Sequence, residues 1–296
     1  MVSKTISGST FYADVSADIA KAGYKSILYN DGDLQYIGFG SDYLHMILRT
    51  KEELFSATVS DTYKTQKYQI IANGNQYDVT YNGIMDALVG HDPVPATETT
   101  PLGYVVYKKK RIAGTSEPNR FYISYDGPAP IPMRSSSAYN FGFGDPPTSA
   151  FSALGGLGPI IINKLKYGIN NQYKSGVPGG APPVGPPGPV YEPYLVQRSN
   201  ATYAAMAAKG ARVGKVAIAL SRDYDILLVL VQPDGAPSGI SLDGMRNKLV
   251  SVGTDDAVFM DGSDSAMLVH NGVFLVSQGD NKDETNTIGF AVHNAP

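Results

Sequence analysis

Apolar positions recur most regularly in the last third of the chain. Lys215–Ser221 (KVAIALS) and Asp225–Gln232 (DILLVLVQ) are β-branched, apolar runs separated by Arg222-Asp223-Tyr224. That pattern predicts two buried strands joined as a hairpin. Ala257–Met260 reads as a short buried strand. Ala266–His270 and Val273–Ser277 flank Asn271-Gly272, the residue pair best suited to a two-residue type I′ turn. A final strand is expected over Ile288–His293. Between these strands, Ser241 to Val252 places Leu242, Met245, Leu249 and Val252 at helical spacing, with Ser241 as the cap.

Upstream, Tyr104–Tyr107, Phe121–Tyr125 and Pro159–Asn163 are strand-like, and Val15–Ala22 and Asn82–Val89 each suit one short helix. The first fifty residues mix Tyr, Ile and Gly without a clean period. Ser175 to Pro193 is dominated by Gly and Pro, without the Gly-x-y period of collagen. It predicts neither ladder nor helix and reads as a mobile surface insertion. Because the strands before it lack a self-sufficient core pattern, the chain is expected to be a single domain over 1–296. The fold class expected is α+β: mostly antiparallel sheets packed with a few helices.

Composition narrows the function. The chain has 296 residues, 43% of them hydrophobic, and a formal net charge of -3. That near-balance argues against a nucleic-acid partner held by a basic surface. The absence of cysteine excludes disulfides, thiolate metal sites and a cysteine nucleophile. The amino-terminal residues lack the apolar stretch of a secretory signal, and no apolar run is long enough to span a bilayer. The expectation is a protein without a membrane segment, cytoplasmic or virion-associated. Twenty Tyr, no Trp, 32 Gly and 20 Pro make a turn-rich profile that also suits virion proteins.

Several motifs fail on inspection. Gly210-Ala-Arg-Val-Gly214-Lys215-Val216 is one residue short of a phosphate loop and has Val216 where Ser or Thr should hold magnesium. Gly155-Gly156-Leu157-Gly158 leads into Pro159 and a strand, not into a dinucleotide-binding helix. Asp261-Gly-Ser-Asp264-Ser begins like an EF-hand loop but has Ala266 at the glycine position. A calcium site of another kind is left open; otherwise no metal is expected. The four histidines are scattered, without ligand spacing. Lys108–Arg111 reads as a solvated strand edge.

Four segments combine small residues with amides or charged groups at the ends of apolar strands. They run Ile71–Asp78, Ala153–Ile160, Ala211–Ile218 and Val258–Met267. Glycine there admits close approach of a ligand to the backbone. An Asp that closes a buried strand and precedes Gly has one protected face and one open face, a workable setting for a base or nucleophile. Asp261-Gly262 and Asn73-Gly74 are also consistent with plain turns.

In their order these segments resemble the phosphodiester glycosidase (NAGPA-like) family. The matching residues are Asn73-Gly74-Asn75-Gln76-Tyr77, Gly155-Gly156-Leu157-Gly158-Pro159, Lys215-Val216-Ala217-Ile218-Ala219, Gly239-Ile240-Ser241-Leu242 and Met260-Asp261-Gly262-Ser263-Asp264-Ser265. The resemblance covers about 65–293. Two departures stand out: Ser263 and Asp264 replace glycines of the last motif, and Lys215 stands at an arginine position unless Arg212, three residues earlier, takes over its role.

The resemblance implies a hydrolase that cleaves the glycosidic bond of a sugar 1-phosphodiester, small or part of a glycan, without redox or nucleotide cofactor. It makes Asp261 the carboxylate, with Asp264 or Asp78 as a second. Lys215 and Arg212 become phosphate donors, and Asn73 a donor to a sugar hydroxyl or phosphate oxygen. The N–H groups of Gly262, Ser263, Asp264 and Ser265 would form an anion nest, with Gly156 allowing close approach. The alternative is a non-catalytic carbohydrate- or phosphate-binding module of a virion or surface assembly.

Overall fold

The computed structural model describes residues 1–40, 44–48, 69–74, 77–81, 96–101, 103–118, 120–126, 136–167, 172–174, 191–193, 210–262, 266–277 and 289–294. The strands within 44–48, 77–101, 172–193 and 289–294 are described by their backbone alone. The chain begins β1 (Val2–Ser3), α1 (Phe11–Lys21), β2 (Ile27–Asp31), β3 (Leu34–Gly40), β4 (Leu44–Leu48) and β5 (Ile70–Asn73). Then come β6 (Tyr77–Tyr81), β7 (Ala96–Pro101), β8 (Val105–Tyr107), β9 (Lys110–Ala113), β10 (Phe121–Tyr125), β11 (Tyr139–Phe143) and β12 (Ser152–Ile162). The rest is β13 (Leu165–Lys166), β14 (Gln172–Lys174), β15 (Tyr191–Pro193), β16 (Lys215–Ser221), β17 (Ile226–Gln232), α2 (Leu242–Ser251), β18 (Asp256–Phe259), β19 (Leu268–His270), β20 (Val273–Val276) and β21 (Gly289–Asn294).

A twelve-stranded sheet follows the order β1-β2-β3-β17-β16-β18-β12-β10-β11, with β8, β9 and β13 joined beside β12. A five-stranded sheet runs β20-β19-β5-β21-β4. Apart from β1 beside β2, every described pairing is antiparallel. This is the α+β architecture expected. Every residue of β16, β17 and β18 is buried, as befits central strands covered on both faces. Ile70, Ala72, Leu268 and Val276 of the smaller sheet belong to the same core as the large one. Helix α1 lies on β3, where a Cβ at Gly38 would sit 3.0 Å from Val15 Cγ1. Helix α2 begins at Ser241, whose Oγ accepts the Gly244 N–H at 3.0 Å.

Several expectations hold closely. Strands β16 and β10 match their predicted bounds, and Asn271 (φ 50°) and Gly272 (φ 77°) make the expected turn between His270 and Val273. Others need correction. The first helix starts at Phe11, four residues early, because Phe11 and Tyr12 are also core residues. Asp225 is not in a strand: with φ 51° it closes the hairpin turn. The basic run is solvated and its second half, Lys110 and Arg111, lies on the edge strand β9 as expected, but its first half is a turn. Lys108 and Lys109 (φ 48° and 64°) form a two-residue turn, and Arg111 stacks on Tyr104 at 4.1 Å.

Gly155–Gly158 does not end a strand but lies inside the eleven-residue β12, which begins at Ser152 rather than Pro159. The end of the Gly/Pro-rich stretch does enter a ladder, Tyr191–Pro193 pairing with Gln172–Lys174. His45 and His293 are cross-strand partners, so those two histidines are not scattered. The helix expected over Asn82–Val89 lies outside the described residues.

The hairpin end of the large sheet carries a buried ion pair. Asp256 Oδ2 accepts from Arg222 Nη2 at 2.7 Å and Nε at 3.1 Å, and Oδ1 accepts the Asn163 N–H at 2.7 Å. At the other edge of the core, His270 Nε2 lies 2.9 Å from Ser26 Oγ, joining the two sheets. Burial, with the amino terminus as a lesser influence, pushes His270 down to about 4 from its ordinary 6.5.

Loss of charge at the ion pair should be costly. Asp256→Asn is expected to destabilise the fold by about 2–4 kcal/mol, toward the low end for a buried pair because Arg222 is partly exposed. Chemical denaturation measures it. Between pH 6.5 and 4 the unfolded chain takes up a proton at His270 that the native state refuses, so stability falls as pH drops through that window. In His270→Gln the melting temperature should fall less steeply over the same interval.

Candidate active site

Asp261 follows β18 after one residue, Met260. Phe259 pairs with Ala217 of β16 and with Gly158 of β12, and the Met260 N–H donates to Val216 O at 2.8 Å. Continued two residues, the register with β16 brings Asp261 level with Lys215, while Gly158 of β12 flanks Phe259 on the other side. Three of the four motif segments therefore meet at one edge of the large sheet. The fourth arrives from the smaller sheet.

Asn73 closes β5 and is fully buried. Its Nδ2 donates to Asp261 O at 2.7 Å, and its Oδ1 accepts the Met267 N–H at 2.9 Å. The Asp261 N–H donates to Gly74 O at 2.7 Å. Both backbone polar groups of Asp261 are thus held by the end of β5, and one amide spans the two ends of the loop from 261 to 267. In this arrangement the Asn73 amide bonds to the chain's own backbone through Nδ2 and Oδ1. The Asp261 side chain is half-buried, with Oδ2 shielded from solvent.

Gly262 packs on the turn that precedes β16. A Cβ there would come within 2.5 Å of Gly214 O and 3.4 Å of Lys215 Cα, so any larger residue would displace the backbone. Lys215 has its backbone beside the site, but its amine turns elsewhere. Nζ donates to Val213 O at 2.6 Å and to Ala211 O at 3.2 Å. The residue is fully buried, and burial pushes its amine down to about 8 against an opposing pull from Asp234. Lys215 as a phosphate donor does not match this geometry, because the donors face backbone carbonyls. Arg212, on the 3₁₀ turn Gly210–Arg212, is exposed.

Gly156 (φ 70°) sits in a bulge of β12, where Phe121 faces Leu157 but Ile123 faces Leu154. Gly103 fits against it so closely that a Cβ would lie 2.2 Å from Gly156 N. The buried Arg120 reaches this bulge, Nε donating to Gly156 O at 3.4 Å. Sequence reasoning missed Arg120; the available signal was a cation immediately ahead of the apolar strand Phe121–Tyr125. Asp78 belongs to β6, paired opposite Thr100, where only the backbone is described. Ser263, Asp264 and Ser265 lie outside the described residues. Among the described residues, no cluster of three His, Asp or Glu groups suits a metal ion.

Asp261, Asn73 and the Gly214–Lys215 backbone, far apart in sequence, therefore come together, and a carboxylate sits beside small residues where two sheets meet. A carboxylate in such a setting can serve as a base or nucleophile. Among described helices, none is long and apolar enough to cross a membrane.

No curated protein sequence matches the chain. Among solved structures, the catalytic domain of zebrafish N-acetylglucosamine-1-phosphodiester alpha-N-acetylglucosaminidase, auto-inhibited by its pro-peptide, superposes with a TM-score of 0.51 at 11% identity. The match covers 92% of this chain and 82% of that one, and at such identity it shows a shared fold. A hypothetical protein of Synechocystis matches at 13% identity and a TM-score of 0.42, over 90% of this chain and 61% of that one. The phosphodiester glycosidase (NAGPA) family profile matches residues 66–295. With more than half its length matched, the chain belongs to the phosphodiester glycosidase family.

Proposed function

We propose that this protein is a hydrolase that cleaves the glycosidic bond of a sugar 1-phosphodiester. The observation that carries the reading is the juncture at Asp261, a carboxylate whose backbone is bonded to Asn73 and Gly74 and whose neighbour Gly262 packs on Gly214. In the reaction the C1–O bond breaks and its oxygen leaves with the phosphate. Water supplies the hydroxyl at C1 and gives up a proton, which Asp261 accepts before passing it to solvent. If the carboxylate attacks first, water releases the sugar in a second step.

A phosphate monoester leaves readily, which lowers the demand for the general acid other glycosidases need. The remaining need is for cations and N–H groups around the departing phosphate. Arg212 suits that role: it is exposed, always charged and two residues from the Gly214 carbonyl that abuts Gly262. Asn73 acts on the reaction by holding the loop that begins at Asp261. No redox or nucleotide cofactor enters a hydrolysis at carbon.

One observation favours a second reading. The lysine at the family's arginine position faces backbone carbonyls, an arrangement that would suit a module binding a sugar phosphate without turning it over. The two readings separate in one experiment. Incubation with a panel of sugar 1-phosphodiesters should release free sugar. Asp261→Asn should keep its fold by circular dichroism while losing about 10²–10⁴-fold in rate. Binding without release by the wild type would instead establish the module.

A further inference from the structure

Lys215 and Gln232 are cross-strand partners on β16 and β17, and their polar heads converge on the same two acceptors. Lys215 Nζ donates to Val213 O and Ala211 O; Gln232 Nε2 donates to Ala211 O at 2.6 Å and Val213 O at 2.9 Å. The far side of the same turn is also bonded. Gly214 N–H donates to Asp234 Oδ1 at 2.8 Å, and Gly235 N–H donates to Arg212 O at 2.8 Å. Gln232 Oε1 accepts the Ile240 N–H at 2.8 Å, and a Cβ at Gly239 would meet Ala211 O at 2.4 Å.

Every carbonyl from Ala211 to Val213 thus has a donor, two of them shared between an ammonium and an amide. A single 3₁₀ turn has little stability alone, and fixing its dihedrals costs conformational entropy. Charge-assisted bonds offset that cost and explain why a buried ammonium is retained where burial opposes its charge. The turn so fixed carries one ionic side chain, Arg212, which is exposed, and ends at Gly214 against Gly262.

The geometry points to Lys215 and Gln232 as positioning residues for an anion subsite in which Arg212 makes the contact with phosphate. The lysine at the family's arginine position holds the turn from which a different cation reaches the ligand. The identity of the anion rests on the sugar-phosphodiester reading; the clasp itself does not.

The test is calorimetric titration of the full chain with α-glucose 1-phosphate, with glucose as the phosphate-free control. Arg212→Ala should raise Kd at least about tenfold, and Lys215→Met about tenfold, since a displaced binding group loses much of its effect. The double variant should bind no more weakly than Arg212→Ala, because Lys215 acts through Arg212. Gln232→Met should raise Kd in the same direction, which keeps the test decisive if Lys215→Met does not fold. The inference is overturned if Lys215→Met and Gln232→Met lower the melting temperature but leave Kd unchanged. It is also overturned if the effects of Lys215→Met and Arg212→Ala add, or if the wild type shows no phosphate-dependent binding. Turnover plays no part in this readout, so loss of the hydrolase reading and loss of the clasp are separate results.

Discussion

A single buried amide ties this molecule together at its most informative point. Asn73 ends a strand of the five-stranded sheet, and Asp261 follows a strand of the twelve-stranded sheet, 188 residues away. The amide gives its hydrogen to the Asp261 carbonyl and takes one from the Met267 N–H. Buried backbone groups must be paired, and a loop leaving one sheet to begin a strand of the other has few local partners. Asparagine supplies a donor and an acceptor on one planar group, and so satisfies both ends of the loop at once. The carboxylate at the loop's start inherits its position from that bond.

The same logic recurs around the site. Lys215 and Gln232 serve carbonyls of the 211–213 turn, and Arg120 reaches the carbonyl of the Gly156 bulge. Irregular backbone next to a buried sheet needs side-chain donors where strand ladders stop. Glycines at 103, 239 and 262 admit this because a Cβ at each would collide with backbone atoms within 2.5 Å. Polar side chains inside the core thus hold the irregular backbone around Asp261 and the 211–213 turn. A rigid frame with one open face is the arrangement in which binding groups are held before the ligand arrives.

The stability of the frame comes from elsewhere. Strands β16 and β17 are buried along their whole length, and the aromatic side chains of α1, β2 and β3 pack around them, Tyr29 on Tyr36 with ring centres 5.0 Å apart. The Arg222–Asp256 pair lies at the opposite end of β16 from Lys215. One end of the central strands is therefore closed by an ion pair and the other adjoins Asp261 and the 211–213 turn. At one end a carboxylate meets a guanidinium; at the other a buried ammonium meets backbone carbonyls.

Strands with β-branched apolar runs, the Asn271-Gly272 turn and the helix capped by Ser241 were legible because local chemistry alone selects them. The α+β class and the family resemblance rested on the same stretches. Local pattern did not reveal that Gly155–Gly158 runs through the middle of a strand, since a bulge depends on what packs beside it. Nor did it show that Lys108-Lys109 is a hairpin tip, where two lysines adopt a left-handed backbone because the flanking strands demand it. Asp261, Asn73 and Lys215 could be singled out from residue type and spacing. Which atoms they face could not. A side chain's partners are set by strand register and by sheets meeting across the core, and those contacts span most of the chain's length. Residue type and spacing thus marked the side chains able to carry chemistry. Only the packing of the two sheets turned an asparagine and a lysine toward the backbone, and set an aspartate beside Gly74 and the turn before β16.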